Sequence, residues 1–462
     1  MAQTYVVKSY KGIVIVICTI AALGGLLFGL DQGFIANSLP TLEGVYHLGT
    51  QGGENYTAVL SYGGILGALL SGVFARFLGR KKSLLLAGFL FSAFTIISAL
   101  LPPLGVLTAC RFGLGFGVGM ASFIVPLYLA ETAPASIRGS MGTLFQFMIT
   151  IGIFLISLTN VFIARLFTES HIALPMMFLV IAIFALIMFF GCFLIPESPR
   201  WLMLRGRRED AVIVLERTLN TSEEIQSELN EIQETISINR GKFLTKYFIK
   251  ILIVGVLLQM FQQLVGINVM IYYAPTIFGY AGITGFLGMM TIPVVNMLFT
   301  IPAIKWVEKM GRKKLLYLGS AVMLITMVAA GLTFQMMTHM SSPSTGLKAV
   351  LLISLIIYIF GFAVSWGPVV WLMCSEMFPM GGREIGMTIT TMVNWLFAGL
   401  VAQHALSFMH QHGNAALFYL FAFFCVISFV FLKFFVPETK GVTLERFEKD
   451  LTSGVPLRKI GQ

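Results

Sequence analysis

The tetrapeptide Gly79-Arg80-Lys81-Lys82 lies between two long apolar segments, and the same four residues recur about half a chain length later as Gly311-Arg312-Lys313-Lys314. Two further patterns recur in the same order and at a similar separation. The matched residues are Glu131, Pro134 and Arg138 with Glu376, Pro379 and Arg383, and Pro196-Glu197 with Pro437-Glu438. Because self-similarity at a fixed separation indicates repeated architecture, we predict that the chain consists of two homologous halves.

The composition places both halves in a lipid bilayer. Of the 462 residues, 57% are hydrophobic and only 11% are charged, whereas soluble domains carry about 25% charged residues. The sequence contains about twelve apolar stretches of the roughly 17 to 25 residues that a transmembrane helix needs. We therefore predict an all-α membrane protein with six transmembrane helices in each half.

The domain boundaries follow from these stretches and from the long polar segment between them. We predict an amino-terminal six-helix half over residues 1–196, a cytoplasmic helical linker over 197–247, a carboxy-terminal six-helix half over 248–437 and a cytoplasmic tail over 438–462. Duplicated halves of this kind are the usual construction of secondary transporters, which bind their substrate between the halves near the bilayer midplane.

The basic residues predict the orientation in the membrane. When successive loops are assigned alternately to the two sides, nearly all loop Lys and Arg residues, together with both termini, fall on one side. The only Lys and Arg residues in the loops of the opposite side are Arg165 and Lys348. By the positive-inside rule the basic side is cytoplasmic, so we expect a multi-pass protein of the cell membrane with both termini inside.

Other functional classes find little support in the sequence. It contains no nucleophile with a histidine partner, no metal-spaced His or Cys set and no phosphate-binding loop, so we expect neither an enzyme nor a metal site or cofactor. The net charge of +10 comes from the loops of one side and does not indicate a nucleic-acid partner. We expect the protein to function as a monomer within lipid.

Asp31 and Arg111 are the two ionisable residues predicted to lie deep in spans. A charge at that depth costs at least about 2.5–3.5 kcal/mol on insertion scales, so the two need each other or water. Each is about seven or eight residues from the outer end of its span, hence about 10–12 Å below the outer surface. They can therefore meet, either as a proton switch or as a permanent ion pair that fixes two helices.

At these motifs the chain resembles the sugar porter family of the major facilitator superfamily, in particular its bacterial proton-linked hexose and pentose symporters. Besides the repeated patterns, the resemblance rests on Glu131 to Ser140, Pro196 to Trp201, Gln262 to Asn268 with Tyr272-Tyr273, Trp366 to Trp371, and Pro437 to Gly441. It covers nearly the whole chain and implies the major facilitator fold. It also implies import of a monosaccharide with a proton by alternating access, with Asp31 as the coupling acid.

Three positions depart from the family pattern, and they concern the inner gate of the first half. Arg76 stands where the family usually has an acidic residue, and Glu384 replaces the glycine expected after Arg383. The Trp-Arg pair expected near the start of span 6 is absent around residues 171–175.

Amide side chains interrupt the apolar spans at Gln146, Gln262, Gln263, Asn268, Asn296 and Asn394. Amides both donate and accept hydrogen bonds, as the hydroxyl groups of a sugar require. Taken singly, such residues more often link helices, with a contribution of about 0.6 kcal/mol each. We include Asn394 as a further candidate, and the resemblance assigns the other five to the sugar site.

Aromatic rings are the second requirement of a sugar site, because they cover the apolar faces of the sugar ring. Tyr272 and Tyr273 follow the amides of span 7 by about one turn. Phe28 lies near Asp31 in span 1 and is similar to an aromatic residue of the family's cavity wall.

Trp371 and Trp395 lie inside spans 10 and 11 and not at the membrane interface, where tryptophan usually collects. The resemblance implies that both face the sugar. Gly367 and Pro368 are predicted to break span 10 just before Trp371, and such interruptions occur at hinges and binding sites of transporters.

Charged residues form two matched sets at the cytoplasmic ends of the spans. The first set is Arg80, Glu131, Arg138, Glu197 and Arg200, and the second is Glu308, Arg312, Glu376, Arg383 and Glu438. They resemble the family's charge network that closes the inner mouth. The alternative is ordinary surface ion pairs worth about 0–1 kcal/mol each.

Three further interpretations stand beside proton symport, and the nearest is a passive sugar uniporter. Only Asp31 and Arg111 argue against it, because the family's passive carriers have an amide at the position of Asp31. A sugar receptor would be expected to carry a long signalling tail, and a multidrug antiporter would lack the array of amides. Hexose and pentose porters share these residues, so the sequence does not distinguish between the two substrates.

Overall fold

The computed structural model describes residues 11–134, 137–238, 246–338, 340, 343–378, 382–440, 442, 447, 450–451 and 453–460. Regular structure in these ranges is almost entirely helical. Twelve helical segments of the described chain are long and apolar enough to cross a membrane, which confirms the predicted number of spans.

The first half and the linker each consist of a simple succession of helices. The six long helices of the first half are α1 (Ile13–Tyr46), α2 (Thr50–Phe77), α3 (Arg80–Ala99), α4 (Leu104–Thr132), α5 (Arg138–Leu166) and α6 (Ser170–Leu194). The linker contains α7 (Pro199–Leu204), α8 (Arg208–Thr218) and α9 (Ser222–Ile238).

The second half repeats this order, except that two of its spans are interrupted. Span 7 consists of α10 (Lys246–Leu264), α11 (Ile267–Tyr272) and α12 (Ala274–Tyr280). The remaining helices are α13 (Gly285–Met310), α14 (Arg312–Thr338), α15 (Thr345–Ala363), α16 (Trp366–Met377), α17 (Arg383–His412) and α18 (Asn414–Phe435), of which α15 and α16 form span 10.

The two interruptions have different causes. Span 7 breaks at Gly266, whose φ of 97° is a left-handed conformation that residues with a side chain rarely adopt. Span 10 breaks before Trp366, with which α16 begins. The prediction that Gly367 and Pro368 form this break is therefore wrong in position. Both lie in the first turn of α16, where proline is tolerated because its missing N–H needs no helical partner there.

Glycines bring α1 and α5 into backbone contact. A Cβ atom at Gly29 would lie 1.9 Å from the main-chain oxygen of Ile149, and one at Gly152 would lie 2.3 Å from that of Leu26. No side chain fits at such distances, and small residues are what allow membrane helices to approach this closely. Helix α1 is thereby fixed against α5 close to the depth of Asp31.

The helices α2 and α4 are joined in the same way near Arg111. A Cβ atom at Gly63 would lie 2.0 Å from the main-chain oxygen of Phe112, and one at Gly115 would lie 1.9 Å from that of Leu60. These contacts set the depth at which α4 presents its basic side chain to the interior of the first half.

The two halves meet along α2 and α17. Gly64 leaves the space that the Trp395 ring occupies. Farther from the basic side, the fully buried carboxylate of Glu54 accepts hydrogen bonds from the main-chain N–H groups of Leu406 at 2.6 Å and Ser407 at 3.0 Å. Steric fit and hydrogen bonds between the halves thus connect these two helices over much of their length.

Candidate functional site

A cavity lies between the two halves and contains about 420 Å³ of space outside the atoms, including its opening. Most of the predicted sugar-binding residues line this cavity, namely Phe28, Gln146, Gln262, Gln263, Asn268, Asn296, Trp371 and Asn394. The cavity therefore combines amides from both halves with aromatic rings, as a sugar requires.

Three of the predicted aromatic residues are not among those that line the cavity. The Trp395 ring packs on the Phe28 ring with centroids 4.9 Å apart, and its indole N–H donates to the Ser122 hydroxyl at 3.2 Å. The Tyr273 hydroxyl donates to the main-chain oxygen of Ala402 at 2.8 Å. Tyr272 is likewise buried and not among the lining residues, so a sugar contact by any of the three remains a prediction.

The amides of the cavity wall form a continuous hydrogen-bonded chain. Asn268 Nδ2 donates to Gln263 Oε1 at 2.7 Å, and Gln263 Nε2 donates to Asn394 Oδ1 at 3.1 Å. Asn394 Nδ2 in turn donates to the side-chain oxygens of Gln262 at 2.7 Å and Gln259 at 2.6 Å. Each bond points in the same sense, so spans 7 and 11 are joined through a polar path with satisfied donors and acceptors.

This chain of amides ends at the break in span 10. Gln262 Nε2 donates to the main-chain oxygens of Trp366 at 2.8 Å and Gly367 at 3.3 Å. The indole N–H of Trp366 donates to the Ser320 hydroxyl at 2.9 Å. The first turn of α16 is therefore held by Gln262, one of the amides that line the cavity.

Asp31 and Arg111 meet as their depths in the spans predict. Arg111 Nη1 donates to Asp31 Oδ1 at 2.5 Å, and both side chains are about 1% exposed. The guanidinium also lies over the Tyr56 ring, 5.4 Å from its centroid. Asp31 Oδ2 and Arg111 Nε have no hydrogen-bond partner in the described part of the chain, so each group keeps one position open.

Sequence reasoning missed two amides of the site, Gln32 and Gln259. Gln32 lines the cavity directly after Asp31, and Gln259 accepts a hydrogen bond from Asn394 without lining the cavity. Each is a polar residue in an otherwise apolar span, which is the signal that identified the other amides. Gln32 donates to Asn268 Oδ1 at 3.3 Å and to the Tyr272 hydroxyl at 3.4 Å.

At the basic side of the first half, Arg80 forms a buried pair with Glu131. Its Nε and Nη2 atoms donate to the two carboxylate oxygens at 2.9 and 2.8 Å, a bidentate geometry that strengthens the pair. Glu197 accepts from the N–H groups of Arg80 at 2.8 Å and Lys81 at 3.2 Å. Burial raises the pKa of the Glu197 carboxyl, and these hydrogen bonds together with that of Ser198 partly oppose the rise.

The second half repeats this cluster in full. Arg312 Nε and Nη2 donate to the Glu376 carboxylate at 3.2 and 2.8 Å. Glu438 accepts from the N–H groups of Arg312 and Lys313, both at 3.0 Å. Thr439 donates to Glu376 at 2.6 Å, as Ser198 donates to Glu131 at 2.5 Å. In each half a carboxylate thus caps the helix that begins at the arginine of the Gly-Arg-Lys-Lys motif.

The remaining predicted gate residues are less informative. The side chains of Arg138 and Glu308 lie outside the described part of the structure, and Arg383 is the first residue of α17. No hydrogen bond or ion pair joins the Arg200 side chain to another described residue. Glu384, a departure from the family pattern, reaches Arg80 of the first half at 3.4 Å and so links the two halves at the basic side.

Replacement of Glu384 by Gln is expected to favour states that are open on the basic side. The Glu384 side chain is 48% exposed, so solvent screens its pair with Arg80, which is worth about 0.2–1 kcal/mol. Labelling of a cysteine introduced at the mouth on that side should therefore accelerate by up to about fivefold. The matched control is Glu169→Gln, which removes an exposed acid on the opposite side that pairs with His171. Unchanged or slower labelling of Glu384→Gln would contradict the prediction.

The chain is similar to known proteins in both sequence and structure. A family model described as "Sugar (and other) transporter" matches residues 17–451. The galactose-proton symporter of Escherichia coli K12 is 39% identical over 462 residues, 98% of each chain. The arabinose-proton symporter of the same strain is 35% identical over 458 residues, 96% of this chain and 94% of that protein. Among solved structures, the proton:xylose symporter XylE of the major facilitator superfamily, bound to 6-bromo-6-deoxy-D-glucose, matches with a TM-score of 0.83 at 31% identity, over 94% of this chain and 98% of that chain.

Proposed function

Because the chain belongs to the family of sugar (and other) transporters and has the major facilitator fold, as its sequence predicts, we propose that it imports a monosaccharide together with a proton by alternating access. It is a multi-pass membrane transporter and not an enzyme. The observation that carries the proposal is that neighbouring residues of α1 belong to both candidate sites. Asp31 belongs to the buried ion pair with Arg111, and the next residue, Gln32, lines the cavity.

Sugar binding rests on the amides and rings of the cavity. Sugar hydroxyls donate and accept hydrogen bonds, so they can replace individual bonds within the chain of amides without leaving a buried polar group unpaired. Phe28 and Trp371 offer apolar surface to the faces of the sugar ring. Because the cavity lies between the halves, rocking of one half against the other exposes it to each side of the membrane in turn.

Proton coupling rests on the single hydrogen bond between Asp31 and Arg111. In the ionised state the opposite charges hold α1 against α4. A proton on the open oxygen of Asp31 removes that attraction, and Arg111 would then be a buried cation without a counter-charge, which is costly. The Tyr56 ring below the guanidinium offsets part of this cost by a cation–π contact. Proton uptake can therefore release the two helices without leaving Arg111 unsupported.

The orientation follows from the charges. We propose that the basic side is cytoplasmic, that the protein lies in the cell membrane, and that a single chain is the functional unit. The two charge clusters then close the inner mouth, and the α2–α17 contact at Glu54 lies toward the outside.

Uptake of labelled monosaccharides into proteoliposomes separates symport from passive transport. With an imposed gradient, acid outside, we expect at least one hexose or pentose to accumulate above its external concentration, and a protonophore should abolish this accumulation. A passive uniporter would only equilibrate the sugar at any pH. If correctly folded protein transports no monosaccharide, the proposal is overturned.

A further inference from the structure

The placement of Gln32 on α1 makes it a neighbour of two sites. Successive residues of an α-helix point about 100° apart, so Asp31 faces α4 and Arg111, whereas Gln32 faces α11 and the cavity. Phe28 lies one turn earlier and also lines the cavity. Helix α1 thus presents a ring and an amide to the cavity, and the coupling acid to the helix beside it.

Gln32 is the most weakly bound member of the chain of amides. Its Nε2 atom donates to Asn268 at 3.3 Å and to Tyr272 at 3.4 Å. Both distances are longer than the range of about 2.7–3.2 Å that is usual for N–H···O hydrogen bonds. Its side-chain oxygen accepts no hydrogen bond from another described residue. Asn268 has a second, shorter bond to Gln263 at 2.7 Å and does not depend on Gln32.

We propose that Gln32 is a sugar-binding residue and that it makes sugar affinity depend on the state of the Asp31–Arg111 pair. A hydroxyl group can donate to the free side-chain oxygen of Gln32 and accept from its Nε2 atom. It would thereby replace the two long bonds to α11. This proposal rests on the proposed function, since it assigns a further residue to the same sugar site.

The dependence on Asp31 follows from the shared helix. The charged or titratable groups that face Asp31 are Arg111 of α4, Tyr56 of α2 and Tyr272 of α11. When a proton cancels the attraction to Arg111, α1 is free to shift relative to α4, and the adjacent Gln32 shifts with it relative to α11. The hydroxyl that Gln32 binds is therefore held differently in the two protonation states.

Binding of the sugar and of its monodeoxy analogues to wild type and to a Gln32 variant tests the contact. We expect Gln32→Leu to weaken binding of the transported sugar about tenfold, a loss of about 1.4 kcal/mol. For the monodeoxy sugar that lacks the contacted hydroxyl, wild type and variant should bind equally, because the contact is already missing. Equal losses for the parent sugar and every monodeoxy sugar would overturn the contact, since a merely structural role of Gln32 affects all ligands alike.

The pH dependence of binding tests the connection to Asp31. In Gln32→Leu the change in sugar affinity between acid and neutral pH should shrink severalfold. The control Gln335→Leu removes an exposed amide of α14 that accepts from the Tyr419 hydroxyl and does not line the cavity, and it should keep the wild-type change. A full wild-type pH change in Gln32→Leu would overturn the connection. If wild-type protein binds and accumulates a sugar but these expectations fail, the inference about Gln32 is wrong and symport stands. If wild-type protein binds no monosaccharide, the proposed function itself is wrong.

Discussion

Asp31→Asn is expected to abolish proton-driven accumulation of the sugar while exchange of labelled for unlabelled sugar across the bilayer continues. Asparagine keeps the shape of aspartate and can still accept the bond from Arg111, but it carries no titratable proton. The variant should therefore remain in a state similar to protonated Asp31, able to bind sugar and to change conformation. Uptake against a gradient and equilibrium exchange, measured on the same proteoliposomes, separate the two activities.

The matched control for Asp31→Asn is Glu54→Gln, which also neutralises a fully buried carboxylate within a span. Glu54 accepts from main-chain N–H groups of α17 and forms no ion pair with another described residue. Its replacement should leave accumulation in place. Accumulation that persists in Asp31→Asn would reduce the Asp31–Arg111 pair to a structural link between α1 and α4.

Gln262→Ala is expected to weaken sugar binding by at least about tenfold, or about 1.4 kcal/mol. The substitution removes a lining amide and deprives Asn394 of one acceptor and the first turn of α16 of one donor. Buried polar groups without a partner cost about 1–3 kcal/mol each. Sugar affinity of the purified variant, compared with its thermal stability, measures the effect on the site separately from unfolding.

Gln259→Ala is the control for this variant, because Gln259 accepts from the same Asn394 atom but does not line the cavity. We expect it to lower affinity less than Gln262→Ala does. Equal losses would mean that the order of the amide chain, and not contact with Gln262, determines affinity. Unchanged binding in both variants would place the sugar elsewhere.

The sequence predicted the parts of this structure that depend on residue type and depth. Apolar length gives the spans, and the repeated Gly-Arg-Lys-Lys motif anticipates the equivalent clusters around Arg80 and Arg312. Asp31 and Arg111 were expected to meet because a charge at that depth needs a partner. Each of these conclusions needs only the position of a residue along its helix.

Predictions that depend on how a helix is rotated about its axis are harder to make from the sequence. Trp395 and Tyr273, which the sequence assigns to the sugar site, are not among the residues that line the cavity, and a sugar contact by either remains a prediction. Gln32 was overlooked although it follows Asp31 directly. In a span that is apolar on all sides, hydrophobic periodicity does not reveal which face is inward, so adjacent positions are hard to assign.

The glycine contacts of the first half restrict the kind of motion that transport can use. With Gly29 and Gly152 seated against opposing carbonyl groups, shear of α1 along α5 by even part of a turn would drive neighbouring side chains into the backbone. Packed interfaces of this kind occupy discrete arrangements and do not deform continuously. The displacement must therefore be concentrated where helices meet through side chains and hydrogen bonds, along α2 and α17 and between α1 and α4 at the Asp31–Arg111 pair, while α1 with α5 and α2 with α4 should each turn as one rigid pair.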